Sequence, residues 1–416
     1  MNGATIQGLF GNVSPPINCV EMHTTGEPTR IIWSGVPEIH GTLLEQRSQF
    51  KEKFDHFRRV LMLEPRGHWD MYGAILRPET ELVDAGEADM GVLFMHNEGF
   101  STMCGHATIA LGRFLVDADE TIFPRRKLLK HDSETRITTV RLHVPCGVVK
   151  ITVPTLPTGK SDPSRAVSFI SVPSFATAIG VTIPLDEKYR WPELQGRTSV
   201  VADFSYGGAF YCIISAEELG FPKGLSEADF AGMDRATKCL KDAVNASPSL
   251  AYCVQHPDTK ELGFLYSVMI VDHDAKRWKD AMLDTSPRSS RTSENVVGEE
   301  TGLCFFANQQ IDRSPTGGCV AARIALSYAK GTLSKGESWM YHSILSRAYN
   351  GLHGFAGSYV EEVDLKADAC SEQRITGVRV RVEGQAYYTG CYSFFVEEED
   401  GLGADGFSLK NLKRRE

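Results

Sequence analysis

Cys104 is the residue with the clearest chemical potential in the sequence. It lies in the run Met103-Cys-Gly-His-Ala-Thr-Ile-Ala-Leu-Gly-Arg-Phe-Leu-Val116. Ala107, Ala110, Leu111, Phe114 and Leu115 recur at helical spacing, so the run predicts a buried helix with Cys104 at or just before its N-terminus. The unpaired N–H groups of a helix start lower a thiol's pKa and attract anions. A thiolate there has two uses, as a nucleophile or as a proton-abstracting base. A second copy of the arrangement follows in Pro315-Thr-Gly-Gly-Cys-Val-Ala-Ala-Arg-Ile-Ala-Leu-Ser-Tyr328. Laid over the first, Thr316 falls on Cys104, Gly317 on Gly105 and Ile324 on Gly112. If the two halves are related by a pseudo-twofold, two helix mouths face one ligand, with a thiol on one and a threonine on the other.

Each group has a plainer reading. Cys104 could be a small residue tucked at a helix start, but the glycine after it, His106 and the polar turn before it favour an accessible thiolate. A papain-like nucleophile would need a positioned histidine base and an oxyanion site, and the local signature of that class is absent. Gly105, Gly317 and Gly318 could be tight-turn glycines, or could bare N–H groups for a carboxylate held between helix ends. Asp312 reads equally as a turn residue before Ser-Pro or as a carboxylate that pairs a substrate ammonium. Histidines such as His106 and His256 are more often structural than catalytic. No zinc or calcium ligand spacing appears, and no G-x-x-x-x-G-K-[ST] nucleotide loop.

The elements that would position these groups follow from the rest of the chain. Its 416 residues suffice for two cores. A net charge of −9 argues against a nucleic-acid partner, and no apolar run of about 18 residues offers a membrane span. No signal peptide is visible, and the ten cysteines include no Cys-x-x-Cys pair, so they read as reduced thiols of a cytosolic protein. Residues 1–16 read as poorly ordered, 17–23 as a strand and 42–62 as one amphipathic helix. Residues 89–96 read as a strand that runs through a polar turn into Cys104, placing the thiol at a strand's carboxyl end, where α/β proteins bind ligands. Strands follow at 138–144 and 148–153, and the Pro-rich 154–165 reads as the domain linker. The second half repeats the style, with strands at 166–172, 198–206, 209–215, 262–271 and 302–307, a helix at 226–246 and a polar surface insertion at 272–300. Residues 375–382 and 386–396 alternate as strands, and 397–416 reads as a tail, acidic and then basic at Lys413-Arg-Arg415.

Met103-Cys-Gly-His106 and Asp312-Arg-Ser-Pro-Thr-Gly317 together resemble the two active-site signatures of the proline racemase family. Supporting matches are His23-Thr-Thr-Gly-Glu-Pro-Thr-Arg30, Glu64-Pro-Arg-Gly-His68, Val172-Pro-Ser-Phe175, Tyr206-Gly-Gly208, His256-Pro257 and Tyr388-Thr-Gly390, so the resemblance spans roughly residues 17–410. It implies an α/β (α+β) fold of the diaminopimelate-epimerase-like kind. Two pseudo-symmetric domains, each a sheet or barrel wrapped around a central helix, would hold the active site in the interdomain cleft. The expected domains are 17–158 with 385–412, carrying Cys104, and 163–384, carrying Asp312 and Thr316. The family's racemases and epimerases use two cysteines, one on each face of the substrate Cα, and Cys104 matches the first. Thr316 stands at the second, which is the mark of the family's trans-3-hydroxy-L-proline dehydratase branch, the closest resemblance. Threonine is neither acid nor base near neutral pH, so a two-base inversion is lost. One base suffices for α-proton abstraction with loss of a β-hydroxyl. The resemblance implies Gly105, His106, Gly317 and Gly318 as the carboxylate site, and Asp312 and His256 near the ring nitrogen. It implies a small 3-hydroxyproline substrate, no cofactor and no metal, and it leaves a homodimer open.

One departure bears on this. The family usually continues Gly-x-Gly after the catalytic position, where this chain has Gly317-Gly318-Cys319. Cys319 is expected to point into the core. If it pointed at substrate, a proline or hydroxyproline racemase using Cys104 and Cys319 would be the better reading. A non-catalytic proline-analogue binding protein is the alternative outside enzymes.

Overall fold

The computed structural model describes residues 15–278, 295–366, 374–397 and 399–412. The chain forms two compact units, 1–167 with 385–416, and 168–384.

In the first unit, Ala386–Phe394 runs antiparallel to Ile17–Thr24, which turns through Thr25 and Gly26, both at positive φ, into antiparallel Glu27–Ser34. That strand is parallel to Gly73–Arg77, which is antiparallel to Met90–Met95. Met90–Met95 ends in a hairpin with the two-residue strand Phe100–Ser101 and is also parallel to Ile137–Val144, which pairs antiparallel with Gly147–Pro154. The second unit repeats this order of orientations. Phe175–Pro184, Ser199–Tyr206 and Phe210–Ser215 are successive antiparallel neighbours, and the third is parallel to Leu265–Asp272. Leu265–Asp272 is antiparallel to Val296–Phe306, which hairpins with Gln310–Asp312 and is parallel to Ser338–Ser343. Phe355–Lys366 and Arg374–Gly384 complete it, each antiparallel to the strand before. In both units the short hairpin strand leads into a helix, Gly105–Asp117 or Gly317–Ala329.

Each of these helices packs on strands from both ends of its own ladder, so each sheet curls around its helix. That explains their composition. A helix enclosed on all sides has no solvated face, and Ala107, Ile109, Ala110, Leu111, Leu115 and Val116 are all fully buried. At Gly112 a Cβ would lie 2.5 Å from Ile151 Cγ2, so the helix sits against the Gly147–Pro154 strand only because that side chain is missing.

Several sequence expectations are corrected. The single helix at 42–62 is two, Leu43–Lys53 and Asp55–Met62, broken at Phe54. The first starts with a capping box in which Thr42 and Glu45 satisfy each other's backbone N–H. The break turns Arg58 inward. The expected linker 154–165 belongs to the first unit, where Thr155 bridges Ser161 and Asp117 accepts from the Ser161 hydroxyl at 2.6 Å. The expected insertion 272–300 contains the start of the Val296–Phe306 strand, and its residues 279–294 lie outside the described ones. Strands Phe175–Pro184, Ser338–Ser343 and Phe355–Lys366 were not expected. The expected tail is docked over 399–412: Phe407 exchanges backbone bonds of 2.9 Å with Glu64, and Arg66 donates to the Gly403 carbonyl at 2.5 Å. Residues 1–14 and the basic 413–416 lie outside the described residues.

Candidate active site

Cys104 is the N-cap of its helix, in extended conformation, and its sulfur accepts the Ala107 N–H at 3.4 Å. A sulfur in that position receives the positive end of the helix dipole together with a direct donor, and both stabilise negative charge. His106 completes the group. Its Nδ1 lies 3.3 Å and its Nε2 3.6 Å from the Cys104 sulfur. The Cys104 carbonyl is held by the Thr108 N–H at 3.0 Å and the Thr108 hydroxyl at 2.6 Å.

More distant elements fix this mouth. Thr24, at the tip of the first hairpin, donates to the His106 carbonyl at 2.9 Å. Tyr72 sets its ring edge-on to His106, with centroids 4.8 Å apart, and its hydroxyl meets Ser101 Oγ at 2.5 Å. The turn before Cys104 is pinned at its base. His96 Nδ1 accepts the Glu98 and Gly99 N–H groups, each at 3.2 Å. Arg58 donates to the carbonyls of His96 and Asn97 at 3.0 and 2.7 Å while Asp55 neutralises it. Cys104 is 7% exposed and His106 3%.

The second mouth uses the same parts differently. Asp312 sits opposite Cys304 in the hairpin and accepts the Ser314 N–H at 2.7 Å. Ser314 Oγ in turn accepts the Thr316 N–H at 3.1 Å. Thr316 is the N-cap, but with φ 61° and ψ 81° it is left-handed and makes no side-chain cap. A β-branched residue in that region costs about 1–3 kcal/mol. Arg323, enclosed about two turns further on, donates to the Pro315 carbonyl at 2.8 Å and to Glu300 Oε1 at 2.6 Å, and stacks over Tyr341 at 4.3 Å. The first turn of the helix is backed by Tyr206-Gly207-Gly208: a Cβ on Gly207 would come within 2.2 Å of the Gly318 carbonyl oxygen. Thr316 Oγ1 forms no regular hydrogen bond among the described residues, although it stands close enough to the Cys304 thiol to oppose part of that thiol's pKa rise.

The thiols at this mouth are not available for acid–base work. Cys319 has no exposed surface, and burial pushes its pKa well above the ordinary 9.0 against the opposing pull of Arg323. Burial likewise pushes Cys304 up to about 12, and Ser267 Oγ lies 2.7 Å from its sulfur.

His256 lies in the same unit as Thr316, on the approach to the Leu265–Asp272 strand. Its Nδ1 accepts the Asp258 and Thr259 N–H groups at 3.2 and 3.0 Å, which leaves the proton of the neutral ring on Nε2. Burial lowers its pKa below 6.5 and outweighs the raising influence of Asp258. The ring packs edge-on to Tyr206, with centroids 4.8 Å apart, so the strand that backs the Thr316 helix also carries the histidine's neighbour.

The structure therefore gathers Cys104, Gly105 and His106 at one helix mouth, and Asp312, Thr316, Gly317 and Gly318 at the other, each within its own unit. Sequence reasoning missed Tyr72 and Arg58, whose positions follow no spacing rule, and it had Thr24 only as part of the His23–Arg30 match, without a place at the site. It also missed Arg323, which did carry a signal: a lone charge inside an otherwise apolar helix.

The proline racemase family model matches residues 19–408, and the chain belongs to that family. Among relatives, it is 39% identical over 403 residues to trans-L-3-hydroxyproline dehydratase of Bos taurus, covering 95% of this chain and 96% of that one. It is 39% identical over 401 residues to trans-3-hydroxy-L-proline dehydratase of Homo sapiens, with the same coverage of each chain. Among solved structures, the fold matches a probable proline racemase of Agrobacterium radiobacter K84 with a TM-score of 0.73 at 22% identity, covering 95% of this chain and 97% of that one. A hydroxyproline epimerase of Agrobacterium vitis follows with a TM-score of 0.72 at 21% identity, over 95% and 96% of the two chains.

Proposed function

We propose that the protein is a trans-3-hydroxy-L-proline dehydratase, a hydro-lyase that works without a cofactor. The observation that carries this is the pair of capping residues: a supported, histidine-flanked thiol at one mouth, and at the other a threonine whose neighbouring thiols are buried and neutral. Cys104 as thiolate removes the Cα proton. The developing charge spreads onto the carboxylate, which backbone N–H groups of the Gly105–His106 and Gly317–Gly318 turns are suited to bind. The C3–O bond then breaks, water leaves, and the enamine tautomerises to Δ1-pyrroline-2-carboxylate. Thr316 supplies no proton and takes none, so Cα is not reprotonated from a second base. Asp312 and His256 are assigned to the ring nitrogen. The relatives named as dehydratases, at about the same 39% identity over nearly the whole chain, support the same reading. The ten cysteines without close pairs fit a reducing, cytosolic setting.

The test is product formation from trans-3-hydroxy-L-proline compared with trans-4-hydroxy-L-proline, which has no hydroxyl on the carbon next to Cα. A dehydratase yields the cyclic imine from the first and none from the second. Epimerisation of the second at a comparable rate would assign the chain to the racemase branch instead.

A further inference from the structure

We propose that the His106 side chain is the general acid that protonates the departing 3-hydroxyl, acting on the same face of the substrate ring as Cys104. The proposal rests on the dehydratase reading above and goes beyond it by naming the acid. Stereochemistry sets the requirement. In trans-3-hydroxy-L-proline the carboxylate and the hydroxyl lie on opposite faces of the five-membered ring. The Cα hydrogen is opposite the carboxylate, so hydrogen and hydroxyl share a face. A base that takes this hydrogen must approach from the side on which the hydroxyl leaves. Hydroxide is a poor leaving group, so a proton donor is needed on that side too, within one bond of the base's target.

His106 meets the geometric requirement. Its nearer ring nitrogen is 3.3 Å from the Cys104 sulfur. Two adjacent ring substituents on one face are separated by a comparably short span, so two side chains in contact can address both. The ring is also held in place: Tyr72 packs its edge against it, Ser101 fixes the Tyr72 hydroxyl, and Thr24 ties down the His106 carbonyl. A carboxylate bound by the backbone N–H groups of this turn does not require the imidazole. Thr316 cannot take the role, because a threonine hydroxyl does not ionise in the required range.

The step balances. The resting pair is thiolate and imidazolium. The sulfur takes the Cα proton, the C–H electron pair becomes the Cα–C3 double bond, and the C3–O pair leaves with oxygen, which takes the imidazolium proton to become water. The site is left as thiol and neutral imidazole, and transfer of the thiol proton to the ring restores it.

A leaving-group experiment tests this on the full chain. Wild type, His106→Asn and Cys104→Ser are assayed with trans-3-hydroxy-L-proline and with trans-3-fluoro-L-proline, whose fluoride departs without prior protonation. Loss of a general acid typically costs about a hundredfold or more. His106→Asn also removes the cation beside the thiolate, so both reactions slow, but dehydration is expected to fall by about a hundredfold more than fluoride release, and the residual fluoride release reports a folded site. Cys104→Ser is expected to lose both. Equal slowing of both substrates in His106→Asn would overturn the proposal, because the histidine then only positions other groups. Retained dehydration in that variant would overturn it as well, since the thiol itself would be carrying the proton to oxygen. If wild type eliminates from neither substrate, the dehydratase reading falls and the proposal with it. Wild type alone gives a second measurement with cis-3-hydroxy-L-proline, whose hydroxyl lies on the other face. It should exchange its Cα hydrogen in D2O without losing water, and loss of water at the rate of the trans isomer would contradict a same-face acid.

Discussion

At the mouth of Gly105–Asp117 the capping residue is extended and its sulfur takes an N–H from the first turn. At the mouth of Gly317–Ala329 the capping residue is left-handed and its hydroxyl caps nothing. The surrounding scaffold is otherwise repeated, with a strand, a hairpin return, a turn and a central apolar helix in each unit. What differs is how each mouth is held. At the Cys104 mouth the sulfur itself is held, by His106 and the Ala107 N–H, in addition to backbone bonds from Thr24 and Thr108. The Thr316 mouth is organised toward its backbone, with Ser314 on the Thr316 N–H and Arg323 on the Pro315 carbonyl. The first mouth therefore holds its capping side chain, and the second holds the backbone of its cap.

That contrast can be broken most severely at the sulfur. Cys104→Ser should lower kcat for dehydration by about a thousandfold or more, since its hydroxyl stays protonated where the thiol would ionise, while substrate still binds. Steady-state kinetics with an equilibrium binding measurement would check this, and a loss confined to KM would contradict it. Arg323→Met addresses the backbone support of the other mouth. It strands the buried Glu300 carboxylate and should destabilise the protein by about 3–5 kcal/mol in urea unfolding, part of which His273, 3.2 Å from Glu300, can offset. Thr316→Gly tests the strain directly. Removing the side chain from a left-handed position should stabilise the fold by about 1 kcal/mol, whereas Cys104→Gly at an extended cap should stabilise nothing. A destabilised Thr316→Gly would mean that the hydroxyl contributes more than its backbone conformation costs.

The smallest effect concerns pH. His256 is half-buried, and desolvation lowers its pKa, so as pH falls below 6.5 the unfolded chain takes up its proton before the folded one does. Its contribution to stability is complete above 6.5 and declines as pH falls below that value. Protonation would also remove the Nδ1 acceptor used by Asp258 and Thr259. Urea midpoints for wild type and His256→Gln between about pH 5 and 8 should converge toward the acid end. Parallel curves would show that the ring titrates alike in both states.

The sequence made Cys104 and His106 legible because they are neighbours on a helix start, and Thr316 because the second helix could be laid over the first. The apolar character of both helices also pointed to their central placement. The contacts of Tyr72, Thr24 and Arg58 were not legible, although Thr24 lies in the matched run 23–30, since they come from a loop, a hairpin tip and a helix start that only tertiary structure brings close. The Phe175–Pro184 strand was hidden because much of it is exposed, Ile179 included, so no alternation marks it. Phe355–Lys366 was hidden by Glu361 and Glu362 in mid-strand and by Gly357, where a Cβ would lie 2.8 Å from Val320 Cγ1. The docked 399–412 segment looked like a tail because its anchors are backbone bonds and arginines elsewhere in the chain.

Cα–hydrogen exchange in D2O bears most directly on the claim that one working thiol sets the chemistry. Wild type and Thr316→Cys would each be incubated with L-proline, which has no hydroxyl to lose, and the product examined for deuterium at Cα and for the D isomer. A single-thiol site leaves L-proline without inversion in wild type, and Thr316→Cys gains D-proline formation because a second acid–base group then stands at the other mouth. Rapid interconversion of L- and D-proline by wild type would contradict the account, since it would require a second base that neither Thr316 nor the buried Cys319 can be.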